Sequence, residues 1–115
     1  MDASLPIQAI APDVFVAPQL DADSMTSAAR MGFKSIVCNR PDFEGGPDQP
    51  TSADVGRAAK AAGLHFTYLP VSGAYQTPEQ ISEMGRLLNV LPKPLLMYCR
   101  SGARSANLFR QALAT

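Results

Sequence analysis

A cysteine and an arginine near the end of the chain have the spacing of a covalent, anion-binding active loop. Residues 95–98 form an apolar run of strand length, Cys99 follows it, and Gly102 and Arg104 lead into a segment of helical composition. Backbone N–H groups of such a loop, together with the positive end of the following helix, bind an anion. The same field favours a thiolate, so we predict a lowered pKa for Cys99. Cys99 is therefore the candidate nucleophile.

The other residues of this loop are predicted to hold the anion. Arg104 can bind two oxygens in a fork, and Gly102 lets the backbone adopt a positive φ. An arginine near a helix N-terminus opposes the helix dipole unless an anion lies close by, so the arginines favour an anion site. The predicted anion-binding residues around the loop are Arg100, Ser101, Gly102, Ala103 and Ser105.

The composition is typical of one ordinary globular domain. The chain has 115 residues, of which 46% are hydrophobic and 17% charged, so we expect a single catalytic domain over 1–115. Ten basic and ten acidic residues leave no net charge, which argues against nucleic-acid and membrane partners. The N-terminus has no recognisable signal peptide, so we expect a cytoplasmic protein. Two cysteines and one histidine cannot form a zinc site, and no metal or other cofactor is predicted.

Apolar runs of strand length alternate with segments of helical period, which predicts an α/β domain with a largely parallel central sheet flanked by helices. Strands are predicted at 7–10, around Phe15 and Val16, at 33–38, at 65–71 and just before Cys99. Helices are predicted at 23–31, from Thr51 or Ser52 to Ala62, from Thr77 to Val90 and after the loop, with Gly32 and Gly63 as stop signals.

Parallel strands bring their carboxyl ends to one edge of the sheet, so we expect Arg40, Ser72 and Cys99 to lie at the same edge. The loop over 39–50 is long and rich in proline and glycine, which is typical of a binding-site segment. Arg40 is either a second contact for the anion or the ion-pair partner of Asp42.

The segment from Cys99 to Arg104 resembles the active loop of rhodaneses, whose pattern is Cys-Arg-x-Gly-x-Arg. It is similar, more distantly, to the loop of cysteine-dependent protein tyrosine and dual-specificity phosphatases, in which one more residue separates cysteine and arginine. Residues 32–37, 39–42, 62–65 and 69–71 resemble a bacterial family of beta-lactamase-hydrolase-like proteins. This resemblance implies a fold like that of those phosphatases. Some members are fused to a persulfide dioxygenase-like enzyme, which implies a persulfide-oxidising partner.

Three departures from the phosphatase pattern bear on the reaction, and the first two favour sulfur transfer. The loop is shorter, residues 72–76 include no carboxylate that could protonate a leaving alkoxide, and Tyr98 stands where phosphatases usually have histidine. The main prediction is a rhodanese-like sulfurtransferase, in which Cys99 accepts sulfur from thiosulfate or a persulfide and passes it to a thiol or cyanide. Arg104 and Arg100 would hold the anionic leaving group.

Two alternatives remain open. The first is a phosphatase that hydrolyses phosphate monoesters through a phosphocysteine at Cys99, with Asp42 or Glu44 as the candidate general acid and Asp48 nearby in the same loop. The second is a non-catalytic module that senses an anion or docks a partner. A binding loop gains little from a reactive thiol, which argues against this last hypothesis.

Overall fold

The computed structural model describes residues 5–114, which form one α/β domain around a five-stranded sheet. The strands are β1 Gln8–Ala11, β2 Val14–Ala17, β3 Ser35–Cys38, β4 His65–Tyr68 and β5 Leu95–Tyr98. The helices are α1 Ala22–Arg30, α2 Ser52–Ala61, α3 Pro78–Val90 and α4 Ala103–Ala114. The predicted fold class is confirmed.

The strand order is β1-β2-β5-β3-β4, and every neighbouring pair is parallel except the antiparallel pair of β1 and β2. The central strand β5 is buried along its whole length. Cys38, at the end of β3, lies opposite Tyr98, at the end of β5. The residues that follow these strands therefore emerge at one edge of the sheet, as the sequence predicts.

The sheet separates two hydrophobic clusters, because successive side chains of a strand point to opposite faces. Leu95 and Met97 of β5 belong to the cluster that contains buried residues of α3 and α4. Leu96 and Tyr98 belong to the cluster that contains buried residues of α1 and α2. Cys38 also lies in this second cluster.

The helix boundaries follow local signals in the chain. Thr77 caps α3 in a capping box with Gln80, and Thr51 caps α2. Gly32 and Gly63 have φ values of +98° and +84°, as expected for glycines that end a helix.

Two strand predictions were too long, and the one over 33–38 begins only at Ser35. The strand predicted over 65–71 ends at Tyr68, because Pro70 lacks the N–H group that a regular ladder requires. The chain nevertheless remains beside the segment after β3, since the N–H of Val71 donates to the carbonyl of Asn39 at 2.9 Å.

Candidate active site

The loop between β5 and α4 is held in place by the end of the neighbouring strand. The N–H of Cys99 donates to the carbonyl of Ala17 at 3.4 Å, and the carbonyl of Arg100 accepts from the N–H of Gln19 at 3.2 Å. Gly102 has a φ of +96°, which other residues rarely adopt, and it turns the chain into α4. The loop is therefore anchored at its base and bent at its glycine.

Cys99 lies at the base of this loop and is only 1% exposed. The N–H of Gly102 donates to Sγ at 3.0 Å. Burial by itself raises the pKa of Cys99, but hydrogen bonds from the N–H and hydroxyl of Ser105 and from the N–H groups of Gly102 and Ser101 outweigh it and lower the pKa below its ordinary value. This environment favours a thiolate.

A buried polar network joins α4 to the segment after β3. The hydroxyl of Ser105 donates to Oδ1 of Asn39 at 2.9 Å, and both residues are fully buried. The Nδ2 group of Asn39 donates to the carbonyl of Leu69 at 2.9 Å, which sets the orientation of its amide. A hydroxyl has one hydrogen, so Asn39 and the sulfur of Cys99 compete for the proton of Ser105.

Arg104 is held by its outer nitrogens. Nη1 donates to Oε2 of Glu44 at 3.0 Å and to the carbonyl of Val71 at 3.1 Å, and Nη2 donates to Oε1 of Glu44 at 3.1 Å. The Nε group is buried and has no hydrogen-bond partner. A guanidinium has five N–H donors, so the edge formed by Nε and Nη2 keeps donors for an incoming anion.

Arg40 contributes to the same arrangement from the loop after β3. Its Nε donates to Oε1 of Glu44 at 3.0 Å, and its Nη1 donates to Oε1 of Gln19 at 3.1 Å. Its ion-pair partner is Glu44, not Asp42 as the sequence analysis considered. Hydrogen bonding to Arg104 is the main reason why the pKa of Glu44 lies below its ordinary value, and Arg40 adds to this effect. Glu44 is therefore ionised at neutral pH.

The other candidate acids are placed differently. The two carboxylate oxygens of Asp42 accept from the N–H and the hydroxyl of Ser52, at 2.7 and 2.8 Å. Asp42 thus stabilises the start of α2, which is a structural role. Asp48 is exposed, and neither Asp42 nor Asp48 lines the cavity over Cys99.

A cavity of about 310 Å³ lies over the cysteine. Its lining consists of Gly73, Cys99, Arg100, Ser101, Ala103, Arg104 and Asn107. A Cβ atom on Gly73 would lie 3.4 Å from Nε of Arg104, so the loop after β4 packs close to the guanidinium. Five of the predicted loop residues thus line one cavity, the N–H groups of Gly102 and Ser105 contact the sulfur, and Arg40 lines the neighbouring cavity.

Sequence reasoning missed several residues of this site. Asn39, Gln19, Gly73 and Asn107 received no functional role, and Glu44 was not considered as a partner of Arg104. Asn39 follows a buried strand at the predicted edge, and that position was the available signal. The pairing of Glu44 with Arg104 joins residues 60 positions apart and has no local signal.

Within residues 5–114, no group of histidine, cysteine, aspartate and glutamate side chains is arranged to hold a metal ion. Over the same residues, none of the helices has the length and apolar character needed to span a membrane.

The sequence matches the family described as "Beta-lactamase hydrolase-like protein, phosphatase-like domain" over residues 6–115. A beta-lactamase hydrolase-like protein of Xylella fastidiosa is 33% identical over 94 residues, which cover 82% of this chain and 22% of that protein. The chain therefore spans about a fifth of the length of this relative.

Solved structures show the same architecture. A candidate phosphatase from Neisseria meningitidis superposes with a TM-score of 0.83 at 29% identity, covering 92% of this chain and 75% of the other. The core catalytic domain of a PP-IP phosphatase from S. cerevisiae superposes with a TM-score of 0.63 at 16% identity, covering 84% and 57%. This second likeness concerns the fold alone.

Proposed function

The chain belongs to the beta-lactamase hydrolase-like family with a phosphatase-like domain, and from this membership we propose that it is a cysteine-dependent phosphatase that hydrolyses phosphate monoesters. The observation that carries the proposal is the ionisable sulfur of Cys99, which accepts hydrogen bonds from N–H groups of the loop and lines the same cavity as Arg104. The comparisons favour this activity over the sulfur transfer that the short loop predicts.

The proposed reaction has two steps. In the first, the thiolate of Cys99 attacks phosphorus, an S–P bond forms, and the P–O bond to the leaving group breaks. In the second, water attacks the phosphocysteine, the S–P bond breaks, and inorganic phosphate leaves with the thiolate restored. The N–H groups of the loop and the Nε and Nη2 groups of Arg104 hold the phosphoryl oxygens in both steps.

Glu44 is assigned a positioning role. Its bidentate contact with Nη1 and Nη2 fixes the plane of the Arg104 guanidinium and leaves the buried Nε without a partner. An ionised carboxylate cannot donate a proton, and Asp42 is bonded to Ser52. The proposed enzyme therefore works without an acid from these residues.

This arrangement predicts a strong dependence on the leaving group. General acid catalysis contributes about 10² to 10⁴ in rate, so alkyl phosphates should react slower than aryl phosphates by at least that factor. The measurement is kcat/KM for a series of phosphate esters whose leaving groups differ in pKa. Cys99→Ser should abolish turnover of every ester, and equal rates for aryl and alkyl esters would contradict the absence of an acid.

Sulfur transfer is the second candidate, and one observation favours it. Only four residues separate Cys99 and Arg104, and sulfite leaves thiosulfate as a stable anion that needs no acid. Incubation with thiosulfate should then add one sulfur atom to the intact protein, and Cys99→Ser should prevent this gain. A sulfur adduct without hydrolysis of aryl phosphate would reverse the ranking. Anion binding with neither reaction would support the non-catalytic module.

A further inference from the structure

A second cavity of about 580 Å³ adjoins the cavity over Cys99. It is lined by Arg40, Glu44, Gly45, Arg100 and Arg104, and it shares Arg100 and Arg104 with the first cavity. The proposed hydrolysis of a simple phosphate monoester leaves this second cavity unused.

The charges around this cavity favour an anion. Three guanidinium groups and one carboxylate line it, which leaves two positive charges in a chain with no net charge. The carboxylate of Glu44 already lies between Arg40 and Arg104, with contacts of 3.0 to 3.1 Å. Glu44 thus shows that the guanidinium groups of Arg40 and Arg104 can bind the same carboxylate.

Arg100 connects the two cavities. Its backbone is held by the N–H of Gln19, and its side chain is exposed and lines both spaces. Among the described residues, no carboxylate lies within ion-pair distance of its guanidinium. Arg40, by contrast, is only 11% exposed and already paired, so it contributes a fixed positive charge to the wall of the cavity.

We propose that this cavity is a second anion subsite and that the substrate is a phosphate ester with a second anionic group. The first phosphoryl group reacts at Cys99, and the second group is held by Arg100 next to the Arg40–Glu44–Arg104 cluster. The assignment of the reacting phosphoryl group to Cys99 rests on the proposed function. Anion binding in the second cavity does not, because it involves no reaction at Cys99.

Binding to the unreactive Cys99→Ser variant tests the subsite directly. Titration calorimetry compares inorganic phosphate with methylenediphosphonate, which carries two linked anionic groups and is not hydrolysed. We expect the diphosphonate to bind at least about tenfold tighter, since two charge-assisted contacts replace one. Arg100→Gln in the same background should reduce this advantage to less than about threefold. Arg86→Gln on α3, outside both cavities, is the matched control and should preserve it.

Protection of Cys99 from iodoacetamide gives the same comparison in the wild-type protein, in case the serine variant does not fold. Equal affinity for the two anions in both measurements overturns the subsite, and so does an advantage that Arg100→Gln leaves unchanged.

A pair of substrates separates this inference from the proposed function. The esters 3-carboxyphenyl phosphate and 3-carbamoylphenyl phosphate have similar leaving groups and differ in one negative charge. We expect kcat/KM to favour the carboxylate ester about tenfold, with the preference lost in Arg100→Gln. If the diphosphonate binds preferentially but neither ester is hydrolysed, the subsite stands and the phosphatase fails. If both esters are hydrolysed and neither comparison shows a preference, the phosphatase stands and the subsite fails.

Discussion

At the scale of single residues, the site depends on a competition at the sulfur of Cys99. Burial favours the neutral thiol, whereas the hydrogen bonds from Ser105, Gly102 and Ser101 favour the thiolate and prevail. The hydroxyl of Ser105 is a shared donor, because Oδ1 of Asn39 also accepts from it. The reactivity of the thiol therefore depends on a polar network that extends beyond the loop.

This competition predicts how Cys99 reacts with an alkylating agent. When the alkylation rate is plotted against pH, the midpoint of the curve should lie below about 8.5, the usual pKa of a free cysteine. Ser105→Ala removes the hydroxyl donor and should raise this midpoint. Ser101→Ala retains the backbone N–H that contacts the sulfur and serves as the comparison. A midpoint at the ordinary value in the wild type would contradict the proposed nucleophile.

At the scale of elements, the site depends on how β5 is joined to α4. Cys99 follows the buried strand β5, Gly102 turns the backbone, and α4 begins at the next residue. The positive end of α4 and the N–H groups of the loop then act on the same point. The loop is short, so a change at Gly102 should affect both stability and chemistry.

Gly102→Ala is predicted to destabilise the protein by about 1 to 3 kcal/mol, because φ at this position is +96°. The space itself permits a methyl group, since the nearest atoms are those of Ala17 at 3.5 Å. The displaced N–H should also raise the alkylation midpoint of Cys99. Urea unfolding measures the first effect and alkylation the second.

Gly85→Ala on α3 is the control for this substitution. A Cβ atom at Gly85 would meet nothing within 4 Å, and the residue lies inside a helix. Replacing glycine by alanine there should stabilise the protein by about 0.5 to 1 kcal/mol. If both alanine variants lost stability equally, backbone strain at Gly102 would not be the cause.

At the scale of the whole molecule, ion pairs join the loop after β3 to α4. Glu44 contacts Arg40 within its own loop and Arg104 across the site. The side chain of Glu44 is 32% exposed, so solvent reduces the strength of these pairs. They nevertheless link the segments that surround the two cavities.

The lowered pKa of Glu44 predicts a pH-dependent contribution to stability. A carboxylate whose pKa is lower in the folded protein stabilises it above the unfolded value of about 4.3, and this contribution is lost as pH falls through the folded value. The difference in Tm between wild type and Glu44→Gln should be largest near neutral pH and shrink on acidification below that value. The other carboxylates titrate in both proteins, so their contributions cancel in the difference in Tm. A difference that does not vary with pH would contradict the ion-pair assignment.

The chain spans about a fifth of its curated relative, so the activity of any longer protein is a separate question from that of this domain. The determinants described above all lie within residues 5–114, and they can be tested on this domain.

Much of the fold and the centre of the site could be predicted from local patterns. The alternation of strands and helices, the caps at Thr51 and Thr77, and the loop from Cys99 to Arg104 depend on residues close together in the chain. Glycine and proline signals placed the helix ends within one or two residues. The largest error among the strands was at the end of β4, where Pro70 interrupted an otherwise regular pattern.

The partners of the reactive groups were decided by the tertiary structure. Parallel strands predict which segments meet at one edge, but side-chain pairing there depends on register, loop path and burial. Ser105 therefore contacts Asn39, which is 66 positions away in the sequence, and Arg104 contacts Glu44, which is 60 positions away. The sequence alone determined that a thiol and a guanidinium share a loop, because their spacing is local. Only the folded chain shows that the ionised carboxylate of Glu44 pairs with Arg104, because this arginine comes from a distant segment.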